Sequence, residues 1–157
     1  MKKAIIIGAS SGIGRELAKI LSKNDYEVGI AARRVELLKN LQEELPNKSY
    51  VKYIDISKHS DIEKTMLELI TEMQDVDLII ISSGTGHINH QLDWDKELDT
   101  INVNVVGFTR VLNVAVKYFQ KRGKGHLVGI SSLAALMGIE LVLHIVLQKP
   151  LNQIIWK

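Results

Sequence analysis

Two kinds of apolar pattern take turns along the chain. The short, mainly apolar runs "KAIII", "EVGIAA", "YVKYIDI", "VDLIIIS" and "GHLVGIS" suit parallel strands buried on both faces. Between them lie "GRELAKILSKN", "VELLKNLQEEL", "SDIEKTMLELITEM" and the longer "DWDKELDTINVNVVGFTRVLNVAVKYFQKRG", whose apolar residues fall at helical spacing with charges on the other face. The resulting β-α-β-α-β-α-β-α-β order predicts an α/β fold. Parallel strands need crossovers, and these are nearly always right-handed, so the expected architecture is an open, Rossmann-type doubly wound sheet of five strands with helices on both faces. Ser60 before "DIEK" and Asp93 before "WDKE" are the expected N-caps of two of the helices.

Composition narrows the class without changing that picture. The 157 residues, 46% hydrophobic and 24% charged, are enough for one core rather than two domains. A formal net charge of +2 is too small to argue for nucleic acid or an anionic membrane as a partner. The chain has no Cys, so it holds neither a disulfide framework nor a Cys-based metal site, and a cytoplasmic address is expected. The start "MKKAIIIGASSG" has an apolar run shorter than the roughly 7–15 residues of a signal peptide's central region. Glu140 and His144 interrupt the apolar stretch near the C-terminus, short of the roughly 20 residues needed to span a bilayer.

The strongest chemical signal follows the first strand. In "GASSGIGREL", Gly8, Gly12 and Gly14 are separated by Ala9, Ser10, Ser11 and Ile13 and lead directly into a helix. Such a turn presents backbone N–H groups and a helix N-terminus to a pyrophosphate, and a side chain at the glycine positions would block the approach. The alternative is an ordinary tight strand-to-helix turn; its place on the first strand of a doubly wound pattern favours dinucleotide binding. The second strand ends in "AARR". An acid that would hold a ribose 2′-hydroxyl is replaced there by Ala32, and Arg33 and Arg34 follow, so NADP(H) is expected over NAD(H) because a guanidinium suits a 2′-phosphate. The competing reading is two solvated arginines opening a helix.

Together "GASSGIG", "YIDIS", "IISSGTG", "INVNVVG" and "GHLVGISSLAALMG" make the chain resemble the classical short-chain dehydrogenase/reductase family over residues 1 to about 138. The resemblance implies hydride transfer between NADP(H) and an alcohol or carbonyl carbon of a small-molecule substrate. It implies that Asp55 bonds the adenine with Ile56 packed beside it, and that Ser82, Ser83 and Gly84 stand beside the cofactor ribose, where the family usually has Asn-Asn-Ala-Gly. It also implies that Ser132 orients the substrate oxygen and that Asn104 holds a water linking a catalytic Lys to solvent. Read without the resemblance, Asn104 is equally a helix residue bonded to a nearby carbonyl, and Ser131 or Ser132 the end of a strand. No metal is expected: His87 and His90 lie in one loop without a third ligand, and are read as solvated.

The region after Gly138 departs from the family. A Tyr-x-x-x-Lys pair is required, one helical turn apart, so that the ammonium lowers the phenol pKa from about 10. Family spacing puts the Tyr at position 145 and the Lys at 149, where the chain has Ile145 and Lys149, followed by Pro150, a helix breaker. In a frame shifted by one nucleotide, the codons of His144 to Pro150 are compatible with Ala-Tyr-Cys-Ala-Ser-Lys-Ala, which restores the Tyr. Residues 1–138 are therefore expected to form the dinucleotide-binding domain, and residues 139–157 to be an aberrant, frameshifted tail in which the rest of the family fold is missing. The chain as written is expected to be catalytically defective, or else to be a non-catalytic NADP-binding sensor or partner domain. The resemblance also implies a homo-oligomer only for an intact member, and an uncovered fifth strand here.

Overall fold

The computed structural model describes residues 1–131 and, as backbone, the short strand at 155–156. The elements are β1 (Lys2–Ile7), α1 (Gly12–Lys23), β2 (Tyr26–Ala32), α2 (Val35–Glu44), β3 (Ser49–Tyr53), α3 (Ile62–Met73) and β4 (Leu78–Ile81). They continue with α4 (Trp94–Ile101), a π-helical segment (Asn102–Gly107), α5 (Phe108–Arg122), β5 (His126–Gly129) and β6 (Ile155–Trp156). The sheet order is β3-β2-β1-β4-β5-β6. The first five strands are parallel, as the mainly apolar runs predict.

Burial on both faces shows in the alternation along β1. Ile5 and Ile7 belong to a core shared with Met66, Leu69 and Met73 of α3 and Val111, Ala115 and Phe119 of α5. Ala4 and Ile6 point the other way, into a core with Ala18 of α1 and Leu38 and Leu41 of α2. Each residue from Ala4 to Ile7 thus has a helix above or below it, which is why that part of the strand carries no polar residue.

Three expectations are corrected. The stretch written as one long helix is α4, the π-helical segment and α5 in succession; Val103, Val105, Val106 and Gly107 lie where the regular spiral gives way, and β-branched residues and glycine are weak helix formers. At α3, Asp61 rather than Ser60 precedes the first turn, and it makes no side-chain cap; the Ser60 hydroxyl donates instead to Asp61 Oδ1 at 3.2 Å. Asp93 does cap α4, accepting from the Asp95 amide at 3.0 Å. Finally, β5 is not left bare. Its Leu127 and Val128 pair antiparallel with Trp156 and Ile155, which satisfies part of the backbone that an edge would expose.

At the amino ends of the strands the polar groups close on one another. Asp77 Oδ2 accepts from the Lys3 amide at 3.0 Å, and Oδ1 accepts from Arg122 at 2.9 Å. Arg122 also donates to the Val76 carbonyl at 2.7 Å, and the Val76 amide donates to the Tyr118 hydroxyl at 2.9 Å. Burial alone would raise the pKa of Asp77, but the Lys3 amide and the Arg122 guanidinium outweigh it and hold the carboxyl below its ordinary value. Burial pushes the Tyr118 phenol up.

Candidate functional site

At the opposite end of the sheet the strand order reverses between β1 and β4, and a cleft of about 730 Å³ opens outside their carboxyl ends. This is where a doubly wound sheet leaves room for a ligand. The turn after β1 is held by bonds from the Gly8 and Ala9 amides to the Ala31 carbonyl, at 2.7 and 3.3 Å. Gly8 has φ +93°, and a Cβ on it would lie 2.6 Å from the Ser83 amide nitrogen. A Cβ on Gly14 would collide with the Gly8 carbonyl oxygen. These two glycines let the turn, the start of α1 and the loop after β4 close together. Gly12 differs: with φ +56° it has no protein atom within 4 Å of its Cβ position, so its open side belongs to the cleft. The residue preceding α1, Ser11, is extended and makes no side-chain cap. That leaves the first-turn amides available to an anion.

Gly8, Ser10, Ser11, Gly12 and Ile13 line the cleft, as do Arg33, Arg34, Asp55, Ile56, Ser82, Ser83 and Gly84. Of the residues singled out for cofactor contact, Gly14 alone is absent from the wall; it acts from behind, through its contact with Gly8. The two arginines, both exposed, differ. Arg34 reaches across to donate to the hydroxyls of Ser10, at 3.0 Å, and Ser11, at 2.6 Å, whereas no hydrogen bond or ion pair is found for Arg33 among the described residues. Asp55 Oδ1 accepts from the Ser57 amide at 3.1 Å and hydroxyl at 2.7 Å, which fixes the turn beyond β3.

Asn104 is 1% exposed. Its Nδ2 donates to the Thr85 carbonyl at 2.8 Å and its Oδ1 accepts from the Thr85 amide at 2.9 Å, so one side chain clamps the loop after β4 through both backbone groups of one residue. Thr85, Gly86, Val103 and Ile130 also line the cleft and were not singled out from the sequence. The small residues of "SSGTG" were the available signal for the first two. Ser131 lines the cleft; Ser132, Ile145 and Lys149 lie outside the described residues. His87 is not simply solvated: its Nε2 lies 2.9 Å from Asp99 Oδ2, while His90 is exposed. Among the described residues no three His, Cys, Asp or Glu side chains gather as metal ligands, and no helix is long and apolar enough to cross a membrane.

The family model described as short chain dehydrogenase matches residues 2–144. The chain belongs to this family. An uncharacterized oxidoreductase of Mycobacterium tuberculosis is 31% identical over 146 residues, covering 88% of this chain and 57% of that protein. This short-chain dehydrogenase sequence therefore spans little more than half the length of such relatives. Among solved structures, an actinorhodin polyketide ketoreductase with NADPH matches at TM-score 0.87 and 26% identity, over 95% of this chain and 60% of the other. An alcohol dehydrogenase of the archaeon Thermococcus sibiricus, complexed with 5-hydroxy-NADP, matches at TM-score 0.83 and 26% identity, over 95% and 66%.

Proposed function

We propose that this chain is the dinucleotide-binding part of an NADP(H)-dependent short-chain oxidoreductase acting on an alcohol or carbonyl group of a small molecule. The observation that carries the reading is the cleft at the β1–β4 reversal, floored by a glycine turn whose Gly12 opens onto it. The fit is specific in chemistry: uncapped amides at the start of α1 suit a pyrophosphate, and Arg33 and Arg34 suit a 2′-phosphate. In this reading Asp55 and Ile56 hold the adenine side, Ser82 to Gly84 the ribose, and Ser132 the substrate oxygen. Bound NADP(H) supplies or accepts the hydride. Arg34, already braced by Ser10 and Ser11, is preorganised for the phosphate, and Arg33, without a partner among the described residues, adds a positive charge beside it.

The chain as written has Ile145 where a proton-donating phenol is required, and an alkyl group cannot exchange a proton with the substrate oxygen. That observation favours a second reading, a non-catalytic NADP-binding module, and resequencing around codon 140 separates the two: a one-base change that restores a Tyr supports the enzyme, an intact frame the module. Binding is tested by calorimetry. Arg33→Ala and Arg34→Ala should each weaken NADPH by about tenfold, the loss of one charge-assisted contact, and leave NADH nearly unchanged. Equal losses for the two cofactors would remove the 2′-phosphate assignment, and NADPH turnover that disappears on Ser132→Ala would remove the defect.

A further inference from the structure

A π-helical segment is a costly piece of backbone that persists only where its surroundings over-determine it. Residues 102–107 sit between two regular helices, and two of the contacts that grip them come from the turn after β3. At one end, Gly107 lacks the Cβ that would collide with the Ile56 carbonyl oxygen, so backbone rests on backbone. At the other, His59 Nε2 lies 3.1 Å from the Asn102 carbonyl oxygen. A carbonyl only accepts, so the Nε2 of His59 carries the proton and donates; a carbonyl has a second lone pair for this even when a helical N–H occupies the first. Between these two grips stands Asn104, buried and bonded twice to Thr85.

We infer that His59 is a positioning residue that ties the turn carrying Asp55 and Ile56 to the π-helical segment carrying Asn104, and so sets the geometry of the Asn104–Thr85 clamp. Asp55, Ile56, Val103 and Thr85 all line the cleft, so the His59 bond joins two of its walls through a part of the molecule that itself stands outside it. What the clamp serves rests on the oxidoreductase reading above; that His59 holds it does not. Both the neutral Nε2–H tautomer and the imidazolium donate, so the tie does not depend on the charge of the ring.

Backbone amide exchange measured by NMR on the full chain without ligand tests this. His59→Ala should speed exchange at Thr85 by about tenfold or more, a local opening, while Ile6 in the centre of β1 stays unchanged. His59→Gln, whose side-chain amide can donate to the same carbonyl, should return Thr85 to within about twofold of the parent. The Asn104 side-chain amide resonances should shift in the first variant and return in the second. An unmoved Thr85, a rise shared equally by Ile6, or no rescue by glutamine would overturn the proposal. NADPH titration of the same proteins keeps the two readings apart: the Thr85 response in a chain that binds no NADPH supports the role of His59 and removes the cofactor assignment instead.

Discussion

At the amino ends of the strands, Asp77, Arg122, Lys3 and Tyr118 engage one another and the nearby backbone. At the carboxyl ends of the same strands, Gly12 faces open space, the first turn of α1 has no side-chain cap, and no partner is found for Arg33 among the described residues. The two ends lie on one rigid sheet and differ in what becomes of their polar groups. Where donors and acceptors pair internally, the group serves stability. Where the first-turn amides of α1 and the Arg33 guanidinium face open space, the free energy of satisfying them is left to a ligand. That contrast, more than the presence of glycines or arginines as such, marks which end is the site.

The largest effect is expected at Gly8. Gly8→Ala would force a Cβ into the Ser83 backbone at φ +93°, costing about 3 kcal/mol of stability, and should weaken NADPH beyond detection; thermal melts with calorimetry would check both. If the variant melted and bound like the parent, tight closure of the turn on the β4 loop would not be what shapes the cleft.

A middle-sized effect, confined to stability, belongs to the other end. Asp77→Ala leaves the Lys3 amide without its acceptor and takes from the Arg122 guanidinium one of its partners, the Val76 carbonyl remaining, and should cost about 2 kcal/mol without changing NADPH affinity. The carboxyl is depressed in the folded state, so its contribution is full above the unfolded pKa of about 3.9 and is lost as pH falls through the lower folded value. Urea melts across that acid range should therefore converge for parent and variant. A constant gap between them would show that Asp77 acts by packing and not by charge.

The smallest effect is at Gly123, which also has positive φ, +76°, but no atom within 4 Å of its Cβ position. Gly123→Ala should cost only about 1 kcal/mol, the intrinsic penalty of a left-handed helix end, with binding untouched. A loss as large as that at Gly8 would mean that conformation, not the close approach of two backbones, dominates at both glycines.

Much of this was legible in the order of residues. The parallel strands and their helices follow from mainly apolar runs alternating with amphipathic ones, because a central strand covered on both faces tolerates few polar residues; the edge strand β3, with Lys52 in it, is the exception. The glycine spacing, "AARR" and "YIDIS" were legible for a related reason: a site assembled from strand ends draws on residues close to each strand in sequence. The loop "SSGTG" was partly legible, through its small residues, but nothing in it marked Thr85 as the partner of Asn104.

Local pattern also misled in identifiable ways. Ser60 has the right chemistry for a cap, but its hydroxyl goes to Asp61, a choice between two near-equal local hydrogen bonds. His87 looked like a loop histidine with no partner because Asp99 is a helical turn and a loop away. The segment from Trp94 to Arg122 read as one helix because its apolar spacing barely changes across Asn102 to Gly107.

Periodicity and spacing, which are local quantities, were sufficient to specify the class of fold, the direction of its strands and the turn that faces the cleft. The pairings between segments far apart in the chain were decided in three dimensions: Arg34 with Ser10 and Ser11, Asn104 with Thr85, His59 with Asn102, and Asp77 with Lys3 and Arg122. Each such pair gains only about 1 to 3 kcal/mol, too little to impose a recognisable pattern on the sequence. They form because burial of the strands has already brought the groups within reach, and for those that are buried, such as Asn104, leaving a polar atom unpaired would cost more than pairing it.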